Sequence, residues 1–212
     1  MHKHLASEAA ALGPARRADA GGELSAGAVK MSGGTVQIDG VLDPAAVNVD
    51  VLGTISGIGK IIGNVTNDGT VVPGDATNAP GELMLIGDYI QNNDGYLVEG
   101  IDSASNGLLS ITGDATLGGT LDINLLGGFT PTNGETFELI GFSGTETGAF
   151  SGISGADQAD WTVLYQAGQV DLEFTGNAAP TSNTPEPNFA WLYPVLALAL
   201  VLGWRRKRAH AA

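Results

Sequence analysis

The chain has 212 residues, of which 32 are glycine and none is cysteine, and its formal net charge is −14. That average hides an uneven distribution, because the segment from Met31 to Pro180 contains 19 acidic residues and a single basic one, Lys60, with no histidine. Such a body excludes a nucleic-acid-binding surface, zinc sites of the usual Cys/His kind, and Ser-His-Asp or Cys-His catalysis.

The first 30 residues differ from the rest of the chain. They contain two histidines, two arginines, two lysines and many alanines, but no continuous apolar run. A secretory signal peptide needs an apolar segment of about 7–15 residues after a basic start. We therefore interpret residues 1–30 as a flexible leader or as the product of a misassigned start.

From Ser32 to about Gly176 the chain alternates short apolar runs with Gly, Asn and Asp. Strict period-two alternation occurs at Val47–Val51, Leu121–Leu125 and Val170–Phe174. Period two with Val, Ile, Thr and Leu predicts β-strands, and the residues between the runs predict turns. Residues 31–176 are therefore predicted to form an all-β body.

A recurring dipeptide suggests how the strands are arranged. Gly-Thr occurs at 34–35, 53–54, 69–70 and 119–120. Short strands in units of about 16–25 residues, separated by Gly or Asn, are what a right-handed parallel β-helix (a β-solenoid) needs. We predict that architecture, and a β-sandwich or jelly roll remains the alternative.

Three longer runs carry a resemblance. The chain reads GTISGIGKIIGNVTNDGTVVPG at 53–74, PGELMLIGDY at 80–89 and LLSITGDATLGGTLDI at 108–123. In this order the runs resemble the last coils of autotransporter-type β-helix passengers, over about residues 50–175. The resemblance implies a β-helix displayed at a surface, but no particular activity, because such passengers vary widely in what they do.

The C-terminal region contains a different kind of signal. Residues 177–188 are rich in Pro, Ser, Asn and Thr and are predicted to be a solvated linker. The segment 189–204, FAWLYPVLALALVLGW, has no charge and is followed at once by Arg205, Arg206, Lys207 and Arg208. As a helix it would rise about 24 Å, and Trp, Tyr and snorkelling Arg side chains suit both interfaces of a bilayer. We predict a transmembrane helix at 189–204, in preference to a core helix, and a basic cytoplasmic tail at 205–212.

Pro185, Glu186 and Pro187 stand directly before this apolar segment. A Pro-Glu-Pro motif, a short hydrophobic helix and a terminal basic cluster resemble the PEP-CTERM sorting signal of Gram-negative bacteria. The resemblance implies processing by an exosortase, a membrane-embedded cysteine protease. Two prolines favour an extended peptide, which suits entry into a protease cleft.

No motif in the body marks a catalytic, cofactor or metal site. The run Gly57-Ile58-Gly59-Lys60 differs from a phosphate-binding loop, because Thr54 stands where that loop needs its first glycine. The Gly-Asp pairs at 74–75, 87–88 and 113–114 do not follow the calcium β-roll repeat. We interpret them as turns, and we predict no catalytic, cofactor-binding or metal-binding residue.

Together these patterns predict an exported, non-catalytic cell-surface or extracellular-matrix protein of a Gram-negative bacterium. Its expected partners are an exosortase-type protease, the inner membrane for a transient period, and an extracellular polysaccharide. The alternative is a surface-delivered β-helix that binds or cleaves polysaccharide.

Overall fold

Alternating apolar and polar residues form β-strands throughout the region that the structure, a computed structural model, describes: residues 10–11, 16–18, 23–75 and 79–176. One short 3-10 helix, Gln158–Asp160, accompanies them. The prediction of an all-β body is confirmed. The strands are β1 (Ala10–Ala11), β2 (Arg16–Ala18), β3 (Glu23–Met31), β4 (Gly34–Ile38), β5 (Val41–Val49), β6 (Gly53–Gly57), β7 (Lys60–Ile62), β8 (Asn64–Asn67), β9 (Thr70–Pro73), β10 (Glu82–Ile86), β11 (Tyr89–Gln91), β12 (Tyr96–Ile101), β13 (Leu108–Ile111), β14 (Ala115–Leu117), β15 (Thr120–Leu125), β16 (Thr136–Phe142), β17 (Glu146–Gly148), β18 (Gly152–Gly155), β19 (Trp161–Gln166) and β20 (Gln169–Phe174).

Strand pairing extends into the segment that was predicted to be a leader. β2 pairs in parallel with β4, and β3 pairs in parallel with β5. Val29 and Met31 of β3 are buried in the core, because apolar side chains continue to alternate upstream of Ser32. The paired region therefore begins N-terminal of residue 31.

From β6 to β15 each strand pairs in parallel with the strand three places further along the chain. One series, β6, β9, β12, β15 and β18, belongs to a seven-stranded sheet. Two further series, β7–β10–β13–β16 and β8–β11–β14–β17, join through β5 into a thirteen-stranded sheet. The main chain therefore returns to the same series after every third strand.

The predicted Gly-Thr repeat lies in register between neighbouring strands. Thr54 pairs with Thr35 on one side and with Thr70 on the other. Tyr96 continues this row and pairs with both Thr70 and Thr120. The dipeptides therefore mark equivalent positions, as the repeat interpretation requires.

Glycine is required where neighbouring connections pass each other closely. Gly119 has a φ of +60°, and a Cβ at this position would overlap the carbonyl oxygen of Gly95. Gly87 has a φ of +151°, and a Cβ there would overlap the carbonyl oxygen of Gly63. The high glycine content is therefore a consequence of how tightly the connections stack.

Inward-facing aliphatic side chains from both sheets form one hydrophobic core. Ile38, Ile55, Leu97, Leu121 and Ile123 are fully buried within it. Burial of each such side chain contributes about 1.5–3 kcal/mol to folding. The core therefore runs through all the parallel series.

An antiparallel hairpin completes the described region at its C-terminal side. β20 pairs with β16, and β19 pairs with β20. The Trp161 ring packs edge-on against Phe137 at 6.0 Å and against Phe174 at 4.9 Å between ring centroids. This aromatic cluster closes the core against the hairpin.

The connections between strands fall into two length classes. Those after β9, β12 and β15 span residues 74–81, 102–107 and 126–135. Every other connection from β4 to β18 has at most four residues. All three long connections lead from the seven-stranded sheet to β10, β13 and β16, so they occupy the same corner of the strand path, which we call the long-loop corner.

Candidate functional site

The predicted sorting signal lies outside the described residues. This applies to Pro185, Glu186 and Pro187, to the apolar segment 189–204, and to Arg205, Arg206, Lys207 and Arg208. Across 23–75 and 79–176, no helix has the length and apolar character needed to cross a bilayer. The sorting signal and the membrane span therefore stay predictions from the sequence.

Two of the Gly-Asp pairs act as turn elements, as their interpretation from sequence requires. Asp88 Oδ1 accepts a hydrogen bond from the backbone N–H of Asp114 at 2.9 Å. Asp114 Oδ1 in turn accepts one from the backbone N–H of Thr145 at 2.7 Å and another from its hydroxyl. These bonds from Thr145 lower the pKa of Asp114 below its ordinary value. Each side chain thus caps the start of the next strand in its series.

The scattered aspartates do not converge on a metal site in the described region. Asp102 accepts hydrogen bonds from the backbone N–H groups of Ala104 and Ser105, which lower its pKa. Asp75 accepts one from the N–H of Ala79. Among residues 23–75 and 79–176, no group of three or more His, Cys, Asp or Glu is placed to hold a metal ion.

A buried polar network, which was not predicted from the sequence, lies inside the core where β8 and β11 end. Asn67 and Gln91 pair in register and are almost fully buried. The Tyr89 hydroxyl donates to Gln91 Oε1 at 2.7 Å, and Gln91 Nε2 donates to the carbonyl oxygen of Gly118 at 2.9 Å. Burial is the main cause that raises the pKa of Tyr89. The sequence signal was a polar residue at the end of each strand, shortly before an Asp-Gly turn.

The Gln91→Leu variant is expected to lose about 3 kcal/mol of its free energy of unfolding. Leucine removes the acceptor to which the Tyr89 hydroxyl donates and the donor to the Gly118 carbonyl, although Asn67 Nδ2 still donates to that hydroxyl. Each unsatisfied buried group costs about 1–3 kcal/mol. Urea denaturation followed by far-UV circular dichroism measures the loss. Gln166→Leu is the control, because Gln166 is exposed and its side chain donates a hydrogen bond to Asp171 outside the network. Equal losses in the two variants contradict a structural role for the network.

Among the residues that the structure describes, Glu99 is the only one whose carboxyl group is fully buried in the core without a hydrogen-bond partner. Its side chain is 0% exposed, and neither carboxyl oxygen is hydrogen-bonded. Burial raises the pKa of Glu99 well above 4.5. A Cβ on Gly107 would overlap Glu99 Oε2, so the carboxyl group lies directly beneath the long connection 102–107.

A surface groove of about 620 Å³ lies at the long-loop corner. Its polar side chains are Asp39, Lys60 and Glu82, and Ile58 and Met84 supply apolar walls. Lys60 pairs in register with Met84 on the neighbouring strand. The single cation of the 31–180 segment therefore lines the same groove as two carboxylates.

Comparison with known proteins gives one similarity. No family model matches the chain. The chain is 29% identical, over 153 residues, to the uncharacterized protein YuaQ of Escherichia coli (strain K12). The match covers 69% of this chain and 11% of YuaQ, so the chain spans a small part of the length of that relative.

Hydrogen bonds from neighbouring side chains hold the two carboxylates of the groove. The Asp39 carboxylate accepts a hydrogen bond from Gln37 Nε2 at 2.9 Å, and Glu82 Oε1 accepts one from the Ser110 hydroxyl at 2.6 Å. Both acceptors are thereby oriented at the groove edge. Apolar walls with a few convergent polar groups are typical of sites that bind small molecules or single polymer chains.

Proposed function

We propose that the protein is an exported, non-catalytic cell-surface or extracellular-matrix protein of a Gram-negative bacterium. Its body is a right-handed parallel β-helix in which three consecutive strands make one coil. Its C-terminal region is a PEP-CTERM signal that an exosortase processes. The body then serves as a stiff structural or adhesive module outside the cell.

The pairing of each strand with the strand three places on is the observation that carries the proposal. It repeats in three series from β6 to β18, always in parallel. A β-sandwich is built from antiparallel sheets with hairpin connections, and here antiparallel pairing between strands occurs at β16–β20 and β19–β20. Parallel crossovers in one sheet are almost always right-handed, which favours a right-handed coil.

The surface chemistry fits a module that works outside the cell. Between Met31 and Pro180 the formal charge is −18, from 19 acidic residues and one lysine. A large net charge keeps a protein soluble and limits non-specific association. Core positions repeat from coil to coil, so the module has a uniform stiffness along its axis.

The sorting proposal depends on the three parts of the C-terminal signal. Pro185, Glu186 and Pro187 precede the apolar segment 189–204, which ends at the four cations 205–208. Cations next to a membrane span hold that end on the cytoplasmic side. The Pro-Glu-Pro motif is then on the opposite side, where an exported body is released.

The intact mass of the protein released by the producing cells tests this proposal. We expect a product that ends near Pro187, because cleavage at the motif removes the span and the cations. A triple variant, Pro185→Ala, Glu186→Ala and Pro187→Ala, is expected to stay at full length and in the membrane fraction. A full-length, membrane-held wild-type protein contradicts processing.

The second candidate function is polysaccharide binding or cleavage, which the groove at Asp39, Lys60 and Glu82 favours. Incubation of the released protein with acidic and neutral polysaccharides separates the two activities. Release of reducing ends or unsaturated uronates contradicts the non-catalytic proposal. Retention on a polysaccharide without such release agrees with an adhesive role.

A further inference from the structure

We infer that the groove at the long-loop corner binds one uncharged polysaccharide chain, laid across three successive coils. The inference rests on the proposed function, because it names the partner of an exported adhesive module. It assigns a role to Lys60, the only cation between Met31 and Pro180.

Each of three coils contributes to the groove at an equivalent position. Asp39 follows β4, Ile58 follows β6, and Glu82 begins β10. Lys60 pairs with Val41 on one side and with Met84 on the other. Neighbouring strands lie about 4.8 Å apart, so an extended chain that runs along the coil axis meets a new set of groups at each coil.

Glycines let the connections that line the groove pack closely against each other. A Cβ on Gly59 would overlap the carbonyl oxygen of Gly40, and a Cβ on Gly81 would meet Ile58 Cγ2 at 2.5 Å. Ile58 is 59% exposed at the groove edge, so its aliphatic side chain is accessible to a ligand.

The groups in the groove match the chemistry of a glycan. Aliphatic walls from Ile58 and Met84 suit the C–H faces of sugar rings, and hydrogen bonds to ionised groups are the stronger ones. Asp39 and Glu82 provide acceptors for sugar hydroxyls, and the Lys60 ammonium provides donors. The bonds from Gln37 and Ser110 orient the two carboxylates before any ligand arrives.

The negative charge around the groove favours an uncharged polysaccharide over an anionic one. The groove offers one ammonium against two carboxylates, on a body with a formal charge of −18. A uronate or sulfated polymer is repelled by such a field. A basic peptide is the competing occupant, because opposite charge would attract it, but it would leave the apolar walls and the Lys60 ammonium without suitable contacts.

Retention of the purified, released protein on immobilised polysaccharides tests the inference. The panel contains neutral glucans, mannans and galactans, uronate and amino polymers, and polylysine as the basic probe. We expect retention on at least one neutral polymer, with little change between low and high salt, because an uncharged ligand is not screened. Lys60→Met and Glu82→Gln are each expected to weaken this retention about tenfold through the loss of charge-assisted hydrogen bonds.

Lys30→Met is the matched control. Lys30 lies away from the groove and forms a partly exposed ion pair with Asp50 at 3.3 Å, so its loss is expected to change retention less than twofold. Thermal melting of each variant checks that the fold is intact. If Lys60→Met fails to fold, the retention of Glu82→Gln tests the groove instead.

Several outcomes overturn the inference. They are retention on no neutral polymer, equal retention of wild type and Lys60→Met, and retention only on uronates or only on polylysine at low salt. The intact mass of the same sample keeps this test separate from the proposed function. A correctly processed protein that binds no neutral polymer overturns the groove assignment alone, whereas a full-length, membrane-held protein that does bind one contradicts only the sorting proposal.

Discussion

The Gly119→Ala variant is expected to lose about 3 kcal/mol or more of its free energy of unfolding. Gly119 has a φ of +60°, and a Cβ there would overlap the carbonyl oxygen of Gly95 in the neighbouring connection. The left-handed conformation alone costs a non-glycine residue about 1–2 kcal/mol. Because the Cβ meets backbone rather than a flexible side chain, the connection must also shift. This shift disturbs the adjacent pairing of Thr120 with Tyr96.

Gly127→Ala separates the two causes. Gly127 has nearly the same φ, +59°, but nothing lies within 4 Å of the position of its Cβ. We expect this variant to lose only about 1–2 kcal/mol, the conformational part. Urea denaturation of both variants measures the difference. Equal losses contradict the close stacking of connections on which the β-helix proposal depends.

The second large effect is expected at Glu99, whose buried carboxyl group makes stability depend on pH. Because its pKa in the folded protein is raised well above 4.5 by burial, the folded state keeps a proton that the unfolded chain releases. The stability that this proton provides is complete below about pH 4.5 and is lost as the pH rises through the folded-state pKa. Wild-type stability attributable to Glu99 therefore falls from mildly acidic to neutral and alkaline pH.

Glu99→Gln removes the ionisation while it keeps the shape of the side chain. We expect the variant to match the wild type near pH 4 and to exceed it by about 1–3 kcal/mol at neutral pH, because only the unfolded wild-type chain is stabilised by releasing the Glu99 proton. Thermal melts at a series of pH values measure the difference between the two proteins. Glu138→Gln, at an exposed position of β16, is the control and is expected to parallel the wild type. Parallel curves for Glu99→Gln contradict the assignment of the pH dependence to Glu99.

Local alternation was sufficient to predict the strands but not their partners. Val170–Phe174 was predicted to be a strand from its period-two pattern, and it lies within β20. Nothing in that pattern distinguishes its antiparallel pairing with β16 from the parallel pairing of the other series. The Gly-Thr repeat was more informative, because identical dipeptides in neighbouring strands must share a register, as Thr54 and Thr70 do.

The candidate sites were harder to predict because they depend on contacts between distant residues. The Gly-Asp pairs were interpreted as turns, and Asp88 and Asp114 agree with that interpretation. No burial was predicted for Glu99, although it lies at alternate spacing between Leu97 and Ile101, both of them fully buried. The two-residue alternation of the strand indicated that the Glu99 side chain is buried. The usual preference of carboxylates for water indicated the opposite. The groove brings together Asp39, which follows β4, Lys60 of β7 and Glu82 of β10. Their proximity depends on a strand register that no short stretch of sequence reveals.

The unequal lengths of the connections also indicate where this molecule tolerates inserted residues. The short connections are fixed by stacked glycines and by aspartates that cap the next strand, so an added residue there would disturb the neighbouring connections. The long-loop corner instead accommodates 74–81, 102–107 and 126–135 without any shift in strand register. Surface loops on a rigid scaffold accept insertions and acquire binding functions. Insertions and grafted recognition loops are therefore expected to be accepted at this corner, beside the groove, while the short connections keep their length.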